Sequence, residues 1–201
     1  MALLPDNVSL LDVSSGSNVP AKIIELTPGL ARTRIDHTWW NDLDGTSPGK
    51  FPEDRHWSWA MLAARAEGSQ DFICIGMKID GTKEICGAML YRTRVASFFN
   101  PNELANEVML LAASPASRGL VPGKLGYRGV GSALLFRAVA HSYILGLGGR
   151  VVLTAIPDQL TITYYKNRGF DSHSTLAEGK IRMELKQRSA QSWLQKEGLA
   201  S

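Results

Sequence analysis

The sequence has little cysteine, no long apolar run and no strong excess of either charge. Among its 201 residues are two cysteines, Cys74 and Cys86, and neither has a cysteine or histidine nearby at metal-site spacing. We predict that both are buried as small apolar side chains. No apolar run reaches 18 residues, which argues against a membrane span. No basic start with a following apolar block opens the chain, so we expect no secretory signal.

The charge balance limits the classes of partner. Lys and Arg number 22 against 19 Asp and Glu, which gives a formal net charge of +3. This excess is compatible with an anionic ligand and too small to indicate nucleic-acid binding. With 44% apolar and 20% charged residues, the composition is that of an ordinary globular protein. We expect a cytoplasmic protein without a membrane partner.

The apolar runs and turn residues predict a mixed α/β domain over residues 21–187. The elements follow in the order strand, two helices, three strands, helix, strand, helix and strand. Asp80–Gly81, between two apolar runs, predicts a hairpin over 71–94, and 44–52 is a predicted loop. We expect a central mixed sheet of about six to seven strands with about four helices. Residues 1–20 are predicted to be a flexible arm, and 188–201 a helical tail.

The least ordinary segment is GYRGVGSALLFRAVA, residues 126–140. Three glycines and an arginine open a predicted helix where Ser, Thr, Asp or Asn would be better caps. A glycine-rich turn at a helix N-terminus exposes backbone N–H groups and the positive end of the helix dipole, which favours phosphate. Lys124 and Arg128 add positive charge. Tight packing of the turn is the alternative explanation for its glycines.

Two common phosphate-binding loops do not fit this segment. G-x-x-x-x-G-K-[ST] fails because Ser132 and Ala133 follow Gly131. G-x-G-x-x-G fails because Leu134 stands at its third glycine. A nucleotide-binding fold would also place the loop after the first strand, whereas this loop follows the fourth predicted strand. ATP and NAD are therefore disfavoured as ligands.

The segment resembles the phosphate loop of the GNAT superfamily of acyl-CoA-dependent N-acetyltransferases. That loop has the pattern [QR]-x-x-G-x-[GA] and cradles the pyrophosphate of acetyl-CoA. Gly129 and Gly131 match its last two fixed positions, while Gly126 replaces the first. The loop that begins at Pro115 is also longer than is usual in the family.

A second motif strengthens the resemblance. The family pattern N-x-x-A-x-x-x-Y-x-x-x-G-F is similar to DQLTITYYKNRGF, in which Tyr165, Gly169 and Phe170 are in register. Asp158 and Thr161 stand where the family often has Asn and Ala. The resemblance covers about residues 21–187. It implies a GNAT-like fold with acetyl-CoA as cosubstrate.

The resemblance also implies a set of site residues. Tyr165 is at the family's general-acid position, where it would protonate the leaving thiolate, with Tyr164 as fallback; alternatively Tyr165 is a core tyrosine. Glu107 is the candidate base; alternatively it pairs with Arg92 or Arg94, and a water relay replaces it. The residues expected to contact acetyl-CoA are Leu111, Ala112, Ala113, Lys124, Gly126, Tyr127, Arg128, Gly129, Val130, Gly131, Ser132 and Asp158.

The acceptor site is less well defined by the sequence. The family builds it in part from the first two helices, which here contain Trp39, Trp40 and Trp57. We predict that these three form an aromatic wall for an amine; core packing is the alternative. The same region is acidic. Its carboxylates would suit a cationic substrate; alternatively, they form a solvated face. Its acidic residues are Asp36, Asp42, Asp44, Glu53 and Asp54.

The resemblance leads to an N-acetyltransferase that acts on a primary amine of a small molecule, peptide or protein. One alternative is a non-catalytic CoA-binding sensor. Another is an aminoacyl-tRNA-acetylating toxin, which would make tRNA the one nucleic-acid partner. No metal site is expected, because the four histidines have no ligand spacing. A homodimer stays open as an assembly.

Overall fold

The computed structural model describes residues 4, 6–41, 53–197 and 199. The predicted loop over 44–52 lies outside the described residues, as do Asp42 and Asp44 of the acidic region. Parts of the predicted arm and tail, residues 1–3, 5, 198, 200 and 201, also lie outside them.

The described residues form nine strands and five α-helices. The strands are β1 Asn7–Asp12, β2 Asn18–Glu25, β3 Phe72–Ile79, β4 Ile85–Ala96, β5 Leu104–Ala113, β6 Tyr127–Arg128, β7 Val151–Ala155, β8 Phe170–Thr175 and β9 Ile181–Leu185. The helices are α1 Pro28–Ala31, α2 Trp59–Ala66, α3 Val130–Ile144, α4 Gln159–Lys166 and α5 Gln187–Lys196. A π-helical turn, Arg32–Asp36, continues α1, and short 3-10 turns occupy Glu53–His56, Ala116–Arg118 and Ala177–Gly179.

The strands form one mixed sheet in the order β6-β1-β2-β3-β4-β5-β7-β9-β8. Strands β5 and β7 are parallel, with Asn106 to Val108 registered on Val151 to Leu153. The pairs β1–β2, β2–β3 and β7–β9 are antiparallel. The predicted mixed class is confirmed, and so is the hairpin, whose strands are β3 and β4. The strand number is corrected to nine.

Strands β1, β6 and β8 were not predicted, and they account for the difference from the expected six to seven strands. The prediction of a flexible arm was wrong for Asn7–Asp12, because this segment forms β1 and pairs with β2. Leu10 of β1 is 1% exposed, so burial fixes the strand, while its Ser and Asn neighbours made the segment look like a loop. Strand β8, FDSHST, was missed because it is polar and mostly exposed at the sheet edge. Strand β6 has two residues and therefore no periodicity.

The chain divides into two compact units, which are described separately. The first unit comprises Pro5–Leu90 and Leu110–Leu134. Its core is an apolar cluster that joins α1, the π-helical turn and α2 to strands β3, β4 and β5. Asp36 fixes the start of α2, because its carboxylate accepts hydrogen bonds from the backbone N–H groups of Trp59 at 2.9 Å and Ala60 at 3.0 Å.

The second unit comprises Met1–Leu4, Tyr91–Met109 and Leu135–Ser201. Within it the side chain of Asn106 on β5 donates to the backbone oxygen of Ala138 on α3, at 3.0 Å. Helix α5 packs on α3 through Trp193 and Phe136, whose ring centroids are 5.5 Å apart. These contacts hold the helices against the strands of this unit.

Candidate functional site

A cavity of about 650 Å³ lies in the first unit. Its walls come from the β1–β2 turn, the turn after α1, the β3–β4 turn and the loop from β5 to α3. Trp39 and Ile85 supply apolar surface, and the indole N–H of Trp39 donates to the backbone oxygen of Ile85 at 2.9 Å. That bond fixes the orientation of the ring. The charged lining residues are Arg34, Lys83, Glu84 and Lys124.

Hydrogen bonds anchor the end of the β5–α3 loop at Gly126 and Tyr127. The backbone N–H of Tyr127 donates to Oγ of Ser117 at 3.1 Å, and its hydroxyl donates to Oε2 of Glu84 at 3.1 Å. The backbone oxygen of Gly126 accepts from the N–H of Val13 at 3.0 Å. The backbone N–H of Tyr127 is therefore used in a hydrogen bond within the fold. Tyr127 was predicted to contact the cofactor.

Close packing accounts for the glycine at position 126. A Cβ atom there would lie 2.6 Å from the Cα of Ser117 and 2.7 Å from the carbonyl carbon of Ala116. No side chain fits in that space. The structure thus supports, at this position, the packing explanation that the sequence left open.

The start of α3 presents a different arrangement. Gly129 has a φ of +96°, a conformation that other residues rarely adopt. Helix α3 begins at the next residue, Val130, whose side chain is buried. The first N–H groups of an α-helix have no partner inside the helix, so those of this turn are suited to an anion. Arg128 is exposed beside them.

The remaining predicted cofactor contacts fall at two places. Leu111, Ala112 and Ala113 end β5, and the side chain of Ala112 belongs to the apolar core of the first unit. Asp158 is the N-cap of α4, where Oδ2 accepts from the N–H of Thr161 at 2.8 Å. That hydrogen bond lowers the pKa of the Asp158 carboxyl. Asp158 thus has a structural role in the helix.

Tyr165 lies on α4 in the second unit and is partly buried. Its ring centroid is 5.2 Å from that of Tyr164 and 5.5 Å from that of Phe170. Burial raises the pKa of the Tyr165 hydroxyl, and Tyr164 raises it further, while Arg168 acts in the opposite direction. The hydroxyl therefore keeps its proton over the working pH range, as a proton donor must.

Glu107 on β5 is ion-paired. Its Oε2 lies 2.6 Å from Nε of Arg92 on β4. This is the alternative that the sequence analysis gave for Glu107 beside a role as base. The guanidinium engages this one carboxylate oxygen and links β5 to β4.

The three tryptophans predicted to form an acceptor wall do not line one common surface. Trp39 is 6% exposed and lines the cavity. Trp40 is buried in the core cluster, and Trp57 is packed partly buried against that cluster. Trp57 makes an edge-on contact with Trp59 at 6.0 Å between ring centroids. The core-packing alternative therefore holds for most of this aromatic group.

The acidic region is also used within the fold where the structure describes it. Asp36 caps α2, as shown above. Asp54 is 5% exposed, and its Oδ1 lies 3.0 Å from a guanidinium nitrogen of Arg118. Asp54 and Arg118 lie on separate elements, so no sequence spacing indicates this pair. Arg34 and Lys83 belong to no sequence motif, and their place beside the cavity follows only from the fold.

Two further predictions concern metals and membranes. Within residues 4, 6–41, 53–197 and 199, no group of three or more His, Cys, Asp or Glu is arranged to hold a metal ion. Over the same residues, no helix has both the length and the apolarity needed to cross a membrane. Cys74 and Cys86 are buried and free, as predicted.

Comparisons with known proteins define the fold class. PaiA N-acetyltransferase from Thermoplasma acidophilum, solved in complex with coenzyme A, is similar over 83% of this chain and 98% of its own, with a TM-score of 0.53 and 16% identity. FdhC, described as a nucleotide-linked sugar GNAT, is similar over 96% of this chain and 97% of its own, with a TM-score of 0.63 and 9% identity. A bacterial toxin is similar over 87% and 95%, with a TM-score of 0.57 and 17% identity.

These similarities show that the chain has the fold of the GNAT acetyltransferases, which confirms the resemblance seen in the sequence at the level of the fold. No protein-family model matches the sequence, and neither does any curated protein.

Proposed function

We propose that this protein is an acetyl-CoA-dependent N-acetyltransferase. The observation that carries the proposal is the glycine-rich, basic loop that leads into α3 within a GNAT fold. PaiA, which shares this fold, was solved with coenzyme A. Because similarity at this level of identity concerns the fold, the assignment depends on whether the residues of this loop fit the ligand.

The residues at the start of α3 fit a pyrophosphate group. Gly129 has no side chain, and a Cβ atom added there would meet only Leu10 within 4 Å, at 3.5 Å. The N-terminus of α3 offers N–H groups and the positive end of the dipole. Arg128, which is exposed, adds positive charge nearby in the chain. We assign Gly129, Gly131 and Ser132 to the phosphates and withdraw the backbone N–H of Tyr127 from that role.

Tyr165 is the proposed proton donor. Acetyl-CoA supplies a thioester: the acceptor nitrogen bonds to the acetyl carbon, the carbon–sulfur bond breaks, and the thiolate gains a proton while the nitrogen loses one. The raised pKa of Tyr165 keeps a proton on its hydroxyl at neutral pH. Glu107 receives no role as base in this proposal, because Arg92 engages it.

Thermal unfolding with acetyl-CoA, CoA, ATP and NAD tests the cofactor assignment. A ligand at 100 times its dissociation constant stabilises a protein by about 2.7 kcal/mol, which gives a readily measured shift. We expect acetyl-CoA and CoA to raise the midpoint and the two nucleotides to leave it unchanged. If only ATP or NAD raises the midpoint, or if none of the four compounds does, the basis for an acetyltransferase is removed.

A non-catalytic CoA-binding protein is the second candidate function. The ion pair of Glu107 with Arg92 favours it, since Glu107 is the candidate base and its carboxylate is engaged by a guanidinium. The two functions differ in turnover. Acetyl-CoA that stabilises the protein, together with no release of free thiol for any amine tested, would support the binding protein.

A further inference from the structure

The cavity of the first unit has an excess of positive charge. Of the four charged residues that line it, Arg34, Lys83 and Lys124 are cationic and Glu84 is anionic. The remaining lining is polar or apolar, with Trp39, Ile85 and Val121 among the apolar residues. A cavity of about 650 Å³ is large enough for a small organic molecule.

Arg34 and Lys83 keep their charges available to a ligand. Among the residues that the structure describes, neither makes an ion pair. Arg34 is half-buried on the π-helical turn, and the hydroxyl of Thr38 donates to its backbone oxygen at 2.7 Å. Lys83 is exposed in the short β3–β4 turn, which fixes its backbone only. Arg34 is half-buried and is therefore the better positioned of the two cations, so it loses less conformational entropy when it binds an anion.

Glu84 offsets one of these positive charges, while Asp36 and Asp54 do not line the cavity. Glu84 lines the cavity, and its Oε2 accepts from the hydroxyl of Tyr127. Asp36 is engaged by the N-terminus of α2, and Asp54 by Arg118. The acidic residues Asp36 and Asp54, which had suggested a cationic substrate, are thus used inside the fold.

We propose that this cavity binds the acetyl acceptor, and that the acceptor is an amine which also carries an anionic group, a carboxylate or a phosphate. Arg34 and Lys83 bind the anionic group, and the apolar wall at Trp39 packs against the body of the molecule. The proposal rests on the proposed N-acetyltransferase function, which it deepens by naming a substrate class. Neither residue belonged to the predicted site.

Matched pairs of amines test the proposal by binding as well as by activity. L-phenylalanine and L-phenylalaninamide differ in the carboxylate, and phosphoethanolamine and ethanolamine differ in the phosphate. Isothermal titration with the CoA-loaded protein and with the free protein measures affinity without turnover, because CoA has no acetyl group to transfer. We expect at least one anionic member to bind about tenfold more tightly than its uncharged partner, and the pair that shows the difference identifies the source of the charge.

Substitutions assign the difference to the cavity. We expect Arg34→Gln and Lys83→Gln each to weaken the preferred anionic amine about tenfold and to leave its uncharged partner unchanged. Arg34→Lys should restore part of the affinity. Arg32→Gln is the matched control, because Arg32 is exposed on the same segment and does not line the cavity. Thermal unfolding of each variant verifies that it is folded.

The outcomes separate this inference from the proposed function. If acetyl-CoA fails to bind, the N-acetyltransferase assignment is wrong. If acetyl-CoA binds but each anionic amine binds no better than its partner, the substrate class is wrong. If Arg34→Gln or Lys83→Gln weakens acetyl-CoA itself, the cavity belongs to the cofactor, and its assignment to the acceptor is overturned.

Discussion

The Cα of Ser117 lies 2.6 Å from the position that a Cβ atom would take on Gly126. Gly126 stands at the position where the loop pattern that the sequence resembles has Gln or Arg, and it has no side chain to offer a ligand. Two stretches of the same loop pack closely there instead. This close packing therefore depends on the absence of a side chain at this position.

Gly126→Ala is expected to destabilise the protein. The added methyl group would meet backbone atoms of Ala116 and Ser117, which cannot rotate away, so the cost is that of overpacking, about 1–3 kcal/mol. Urea unfolding measures the change. Gly29→Ala is the control, because a Cβ atom there meets nothing within 4 Å and its φ is not positive. Equal stabilities for the two variants would contradict the packing explanation.

The sequence predicted those parts of the fold that depend on local signals. The β3–β4 hairpin followed from Asp80–Gly81, and Gly81 does adopt a positive φ of +73°. Strand β1 was missed because its burial depends on Leu10 meeting residues far away in the chain. Strand β8 was missed because an exposed edge strand needs no apolar alternation.

The site was predictable in part for the same reason. Gly129 and the start of α3 were found because a helix N-terminus and its glycine are adjacent in sequence. The contact of Gly126 with Ser117 depends on how one loop folds back on itself, and that of Glu107 with Arg92 joins two strands, so spacing could not reveal either. The aromatic cluster misled because tryptophan is used in cores and in binding sites alike.

Tyr165→Phe is expected to lower kcat and to leave the affinity for acetyl-CoA unchanged. Loss of a positioned proton donor typically costs about 10²–10⁴-fold in rate. The ring itself is retained, so its contacts with Tyr164 and Phe170 persist. Steady-state rates and titration of acetyl-CoA provide the two readouts, and Tyr164→Phe is the matched control. A variant with the wild-type rate would exclude Tyr165 as the donor.

The raised pKa of Tyr165 also predicts the shape of the rate profile. Since burial moves this pKa above the ordinary tyrosine value of 10.0, the hydroxyl stays protonated throughout the range from pH 7 to 10. We therefore expect no alkaline fall in kcat from this group below pH 10. A fall that is present in the wild type and missing in Tyr165→Phe would show an ordinary or lowered pKa.

Glu107→Gln is expected to change kcat by less than about threefold, because an ion-paired carboxylate with a structural role contributes little to a proton transfer. Its partner Arg92 is about half exposed, so the free energy of unfolding should fall by less than about 1 kcal/mol. Arg92→Gln removes the same pair from the other side and should behave alike. A loss of two orders of magnitude in kcat for Glu107→Gln alone would restore it as the base.

The two buried thiols should make the protein less stable at alkaline pH. Burial raises the pKa of Cys74 and Cys86 from 9.0 to about 12, with Glu84 adding to the effect at Cys86. Above pH 9 the unfolded chain loses these protons while the folded chain keeps them, so the folded state binds more protons and the free energy of unfolding falls as pH rises. The expected slope is on the order of 1 kcal/mol per thiol for each pH unit.

Urea unfolding between pH 8 and 10 measures this slope. The buried Tyr91 and Tyr165 add to the decline as pH approaches 10, and they do so equally in the wild type and in a variant without the thiols. The double variant Cys74→Ala, Cys86→Ala will be less stable at pH 8, because it loses buried sulfur atoms. Its stability should nevertheless decline less steeply toward pH 10 than that of the wild type, since the unfolded chain then has no thiol to ionise. Parallel curves for the two proteins would mean that the thiols ionise alike in the folded and unfolded states, which would contradict their burial on strands β3 and β4.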